Sequence, residues 1–156
     1  FEAGGHNGRE ETTTLSLIPN VRRNIEIPLI AAGGIAVGSQ IKAAMILGAD
    51  GVQIGSRFAA TFEASAHDNW KQKIVETKEG DTQLTLEEIY KSGKSIELLT
   101  EKLGKRRAKR GMFEGDLEEG ELEIGQSSAL IDEILTVEQV FQKLLKEFEE
   151  ADYSKF

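Results

Sequence analysis

Two short apolar runs that each stop at glycine, with one helical stretch between them, constrain this chain more than anything else in it. Ile27 to Ala32 (IPLIAA) ends at Gly33 and Gly34, and Gly51 to Ile54 (GVQI) ends at Gly55. Between them, Ser39 to Leu47 carries Ile41, Ala44, Met45 and Leu47 at helical spacing, and Gly48 ends it. Apolar runs without alternation suit strands covered on both faces. Two strands joined by a helix lie parallel, because a tight hairpin reverses direction and a crossover does not. The expected fold class is therefore α/β with a parallel sheet.

Parallel α/β folds bind ligands beyond the carboxyl ends of their strands, and in eight-stranded barrels the last two strand-to-helix loops commonly form a phosphate site. AAGGIA (31–36) and QIGSRF (53–58) occupy two such ends. Gly33, Gly34 and Gly55 leave backbone N–H groups unshielded, Ser56 adds a hydroxyl, and helix N-termini at these loops would favour a dianion. A lone Gly-Gly after a strand is often only a tight turn. Two such loops at successive strand ends, one helix apart, point together to phosphate.

A third glycine run, EAGGHNG (2–8), reads as another strand end and carries His6, one of only two histidines. A histidine there can exchange a proton near neutral pH or donate to a developing anion; a purely structural histidine is the competing reading. His67, beside Asp68 in a helical stretch, reads as a surface or capping residue. Almost no chain precedes Glu2 to supply the strand that would deliver EAGGHNG, so the expectation is the C-terminal portion of a larger fold.

Composition narrows the function classes. The 156 residues have a net charge of -8 and no cysteine, which excludes a disulfide framework, a thiolate metal site and a cysteine nucleophile, and disfavours nucleic acid as a partner. No apolar stretch approaches the ~18 residues of a membrane span, so the expectation is no membrane and a cytoplasmic location. Nothing marks a metal ligand set.

Beyond residue 62 the pattern turns helical. Glu63 to Glu79 reads as a long amphipathic helix with Trp70, Ile74 and Val75, and Leu86 to Leu103 as one or two more helical segments. Lys102 to Arg110 holds six basic residues in nine positions, and Glu114 to Glu123 six acids in ten. Such runs read either as a solvated helix and an acidic loop or as a docking patch for an anionic partner. Thr136 to Glu150 is a C-terminal helix with Val137, Val140, Phe141, Leu144, Leu145 and Phe148 on one face, opened by a Thr136/Gln139 capping box. The expected division is 1–62 (last strands and helices of a barrel), 63–125 (helical insertion) and 126–156 (return segment and final helix).

EAGGHNG, IPLIAAGGIAVGSQIKAAMILGADGVQIGSRF and EGDLEEGELEIGQSSALI together resemble the nitronate monooxygenase (2-nitropropane dioxygenase) family, a pattern shared by the flavin-dependent enoyl-acyl-carrier-protein reductases. From about Gln83 to Leu103 the chain is shorter than those relatives. The resemblance implies the C-terminal part of an FMN-binding TIM (β/α)8 barrel with a small inserted helical domain. It implies that Ala32, Gly33, Gly34, Gln53, Gly55 and Ser56 hold the FMN phosphate, that Gly4 and Gly5 lie against the flavin, and that His6 is the catalytic histidine. Gln126 and Ser127, in the GQSS segment, would be substrate or flavin contacts.

The activity implied is oxidation of alkyl nitronates or nitroalkanes with O2 to a carbonyl compound and nitrite. The alternative is NAD(P)H-dependent reduction of an enoyl thioester, in which the Lys102–Arg110 run would meet an acyl carrier protein. A further alternative is a non-catalytic fragment that docks to a homo-oligomer or to a complementing N-terminal segment.

Overall fold

The computed structural model describes residues 12–82 and 106–152. EAGGHNG and the Leu86–Leu103 stretch lie outside the described residues. In chain order the elements are α1 (Thr14–Arg22), β1 (Ile30–Ala32), α2 (Gly38–Ile46), β2 (Gly51–Gln53), α3 (Ser56–Ala59), α4 (Asp68–Val75), α5 (Arg107–Glu114), a 3-10 turn (Gln126–Leu130) and α6 (Val137–Glu150).

β1 and β2 pair in parallel, with Ile30 opposite Gly51, Ala31 opposite Val52 and Ala32 opposite Gln53. The pairing is pinned at its start by Asp50, whose N–H donates to Leu29 O (2.8 Å) and whose carboxylate accepts from Leu29 N–H (2.8 Å) and from Arg22 Nη1 at the end of α1 (3.0 Å). β1 begins three residues later than the apolar run. Pro28 has no N–H for the ladder, so pairing starts beyond it. Ala31 faces the helices and is buried with Ile18, Ile35, Ala44 and Ala49 in one core. Ile30, on the opposite face, is 55% exposed.

α6 forms as its pattern predicts, with Thr136 Oγ1 accepting from Gln139 N–H and Gln139 Oε1 from Thr136 N–H. Val140 and Leu144 are buried, and Phe58 packs against Phe141 with ring centroids 5.1 Å apart. α6 lies so close to the start of α2 that a Cβ at Gly38 would run into the backbone of Leu144 and Phe148. The Gly38 N–H donates to Glu147 Oε2 at 2.8 Å.

The helix expected over Glu63–Glu79 is confined to Asp68–Val75. The preceding residues are engaged elsewhere: Thr61 bridges to Leu135, Glu63 accepts from Val137 N–H at 3.0 Å, and His67 N–H donates to Met112 O at 2.8 Å. His67 takes the capping role, its Nδ1 accepting from Asn69 N–H at 3.1 Å. At the other end, the Lys78 N–H turns back to Asp81 Oδ2. Trp70 and Ile74 join Ala36, Ala60 and Ile131 in a second core, with Met112, Leu122 and Ile124 against it. Among the described residues no helix is long and apolar enough to cross a membrane.

Because the α2–α6 approach has no room for a side chain, Gly38→Ala in the full-length protein should lower stability by about 1–3 kcal/mol, the usual range for overpacking. Chemical denaturation followed by circular dichroism measures this, and a wild-type midpoint would show that the helices separate freely.

Candidate functional site

A cavity of about 270 Å³ opens at the carboxyl ends of β1 and β2. Ala32, Gly33, Gly34, Gln53, Gly55 and Ser56 all line it, so the parallel register brings together six residues that sequence places in two separate loops. Ser127 lines it as well. Gln126, expected beside Ser127 as a contact, is exposed and absent from the lining: in the 3-10 turn adjacent side chains diverge, and only Ser127 faces the cavity. Gly4, Gly5 and His6 lie outside the described residues.

The glycines differ in what they report. Gly33 and Gly34 have φ of 99° and 68°, a left-handed backbone that glycine adopts without strain, so the turn alone accounts for them. Gly55 has φ of -96°, open to any residue, and a Cβ there would meet nothing within 4 Å. Neither backbone nor neighbours ask for glycine at 55. The open space beside it leaves the loop backbone accessible from the cavity.

One expectation is corrected. The N-terminus of α2 is not free for a dianion, because Glu147 accepts from Gly38 N–H and Gln40 Oε1 accepts from the Ala36 and Val37 N–H groups at 2.8 and 3.2 Å. A side-chain carboxylate already satisfies that helix end. α3 is one turn of four residues. An anion in this cavity would rely on the glycine-loop backbone and the Ser56 hydroxyl.

Besides Ile35 and Ala59 next to those loops, the wall comes from Trp70 on α4, Met112 on α5, and Glu123 and Ile124 before the 3-10 turn. These residues went unrecognised in the sequence, where Trp70 reads as one position of an apolar helix face and Glu123 as the end of an acidic run. No local signal separates a cavity wall from a core face. Arg57, inside QIGSRF, was also missed: it is 3% exposed, donates from Nη1 to Glu133 O at 2.7 Å, and fixes α3 to the segment before α6. Burial pushes its pKa down while Glu133, Asp132 and Glu147 oppose that shift. Among the described residues no cluster of metal-ligating side chains occurs.

Two ion pairs tie the described parts of the charge runs together. Lys109 pairs with Glu114 at 3.0 Å, and Arg110 with Asp116. The Asp116 carboxylate also accepts from the Glu119 and Glu118 N–H groups at 2.9 and 3.1 Å. Arg107 donates to Glu119 O, and Glu121 N–H donates back to Arg107 O. This knot holds the acidic loop onto α5 and so sets where Glu123 and Ile124 enter the cavity.

A parallel strand–helix–strand unit with a glycine-lined cavity at its strand ends defines an α/β protein whose candidate site is built from its strand-to-helix loops. The sequence profile of the family described as nitronate monooxygenase matches residues 1–147. A probable nitronate monooxygenase of Bacillus subtilis (strain 168) is 45% identical over 91 residues, 54% of this chain and 26% of that protein. FabK from Thermotoga maritima superposes with a TM-score of 0.86 at 40% identity, covering 96% of this chain and 52% of that one. A nitroalkane oxidase from Streptomyces ansochromogenes superposes with a TM-score of 0.74 at 29% identity, covering 99% and 51%. The chain belongs to the nitronate monooxygenase family, a family of oxidoreductases. Its match spans about a quarter of the Bacillus protein and about half of the two solved structures.

Asp116 provides the test of the knot. The Glu119 N–H, followed by the Arg110 guanidinium and the Glu118 N–H, holds its carboxyl below the ordinary 3.8. A depressed carboxyl stabilises the fold above its unfolded-state value and loses that contribution as pH falls through the folded one. Acidification below about 3.8, or Asp116→Ala at neutral pH, should therefore open the loop to protease between Leu117 and Gly120. Equal cleavage rates for Asp116→Ala and wild type at pH 7 would contradict this.

Proposed function

We propose that the chain carries the phosphate-binding strand ends of an FMN-dependent oxidoreductase built on a TIM barrel, and that it oxidises alkyl nitronates or nitroalkanes with O2 to a carbonyl compound and nitrite. The observation that carries the reading is the convergence of Ala32, Gly33, Gly34, Gln53, Gly55 and Ser56 on one cavity in which Gly55 leaves unfilled space. At about 270 Å³ the cavity is smaller than the roughly 300–1,000 Å³ that houses a whole small ligand. It suits a phosphate and the chain attached to it, the remainder of the cofactor lying beyond.

When bound, flavin supplies the electron transfer and the reaction with oxygen. The protein's part begins with the glycine loops, which approach phosphate oxygens closely because no Cβ intervenes at Gly34 or Gly55. Ser56 offers a hydroxyl at the same point. Trp70, Met112 and Ile124 exclude water from one side of the cavity. His6, by its match to the family histidine, takes or stabilises the substrate proton. The exposed Ile30 and an apolar groove between α2, β2 and α6, lined by Ile41, Met45, Val52, Phe141, Leu145 and Phe148 among others, are where the remaining strands and helices of the barrel would pack.

A second reading, NAD(P)H-dependent reduction of an enoyl thioester, draws support from the similarity to FabK. The pairing of Lys109 and Arg110 with Glu114 and Asp116 leaves less of the basic run to meet an acyl carrier protein, which favours the first reading.

An anaerobic titration of the full-length flavoprotein decides between the two. Bleaching of the flavin band by an alkyl nitronate and not by NAD(P)H is expected, and the reverse would establish the reductase. Gly55→Val should lower flavin affinity about tenfold or more, ~1.4 kcal/mol, with the fold intact. Undiminished flavin content would remove the phosphate assignment. His6→Asn should retain flavin and depress turnover by about 10²–10⁴-fold; unchanged turnover would make His6 structural.

A further inference from the structure

Ser56 does more than line the cavity. A hydroxyl has one proton to donate and two lone pairs with which to accept. One lone pair of Ser56 Oγ is occupied: the buried Gly125 N–H, 69 positions away in sequence, donates to it at 3.2 Å. The Ser56 proton has no acceptor among the described residues, and the side chain faces the cavity.

The bond also anchors a wall. The segment 121–125 is fastened at one end by Glu121 N–H donating to Arg107 O on α5, and at the other by Gly125 N–H donating to Ser56. Glu123 and Ile124, suspended between these anchors, line the cavity. Glu123 is the only ionisable group among the described lining residues. The Ser56 side chain in the glycine loop after β2 therefore adds a polar anchor to the segment that shapes the far wall, beside the packing of Leu122 and Ile124 on the second core.

We propose that Ser56 is a positioning residue that couples occupancy of the strand-end cavity to the placement of the 121–125 wall. An anionic oxygen in the cavity accepts the Ser56 proton, and this orients the hydroxyl so that its lone pairs face Gly125. Ligand binding then tightens the wall carrying Glu123 and Ile124, and by linkage the formed wall tightens the ligand. The proposal rests on reading the cavity as the FMN phosphate site.

Hydrogen exchange of the peptide spanning Gly125, in the full-length protein with and without saturating FMN, tests it. Without ligand, Ser56→Ala should exchange this amide about fivefold faster than wild type, as loss of one neutral hydrogen bond implies. FMN should slow the exchange in wild type and leave it unchanged in Ser56→Ala, while Ser56→Thr, which keeps the hydroxyl, should restore both behaviours. Wild-type exchange in unliganded Ser56→Ala would overturn the proposal, and so would equal protection by FMN in wild type and Ser56→Ala. If wild type shows no flavin binding by absorbance, the cofactor reading fails by itself, and the same comparison with inorganic phosphate as the probe still supports or overturns the coupling.

Discussion

Everything in this site depends on the parallel pairing of β1 with β2. Antiparallel strands would put one glycine loop at each end of the pair. Parallel strands put both at the same end, and the register of Ala32 opposite Gln53 sets the two loops level. The price of that arrangement is a crossover, and α2 supplies it, packed on Ala31 through Ala44. Asp50, bonded to Leu29 and Arg22 at the far end, prevents the register from slipping. A slip of one residue would turn Ala31 away from the core and displace the Gly33–Gly34 turn from Gly55.

Three strands of interaction then converge on the loops from distant parts of the chain. Glu147 on α6 occupies the start of α2, Gly125 is tied to Ser56, and Thr14 on α1 donates to Gly33 O at 3.1 Å. They brace loops whose flanking elements are mostly brief: β1 and β2 have three residues each and α3 has four, while α2 has nine. A site assembled from such brief elements is only as rigid as these long-range bonds. That is the reason a carboxylate 109 positions away belongs to its architecture.

How much of this could be read from sequence follows from the range of the forces involved. α2 and α6 are legible because period-3.6 patterning, a glycine stop and a capping box are local signals. The glycine loops are legible because chain connectivity and parallel pairing leave few places for them. The extent of α4 is not, since its amphipathic pattern runs from Glu63 while tertiary bonds from Thr61, Glu63 and His67 claim the first five residues. The α2 helix end reads as a free anion site until Glu147, from another element, is seen to fill it. The wall residues Trp70, Met112, Glu123 and Ile124 carry no periodic or compositional mark that distinguishes lining from core, because that distinction exists only once α4, α5 and the segment after α5 have packed back onto the strand ends.

The glycines show why a motif and its physical cause need separating. Gly33, Gly34 and Gly55 look equivalent in a sequence comparison, yet the first two are demanded by φ of 99° and 68°. They would remain glycine in a protein that bound nothing there. Gly55 sits at an ordinary φ with empty space where its side chain would be, so selection for the fold alone leaves alanine or serine available at that position. The strand-end cavity is therefore marked more legibly by the one glycine the backbone does not need than by the pair that catches the eye, and Ser56, next in line, is the side chain that ties the cavity to its far wall.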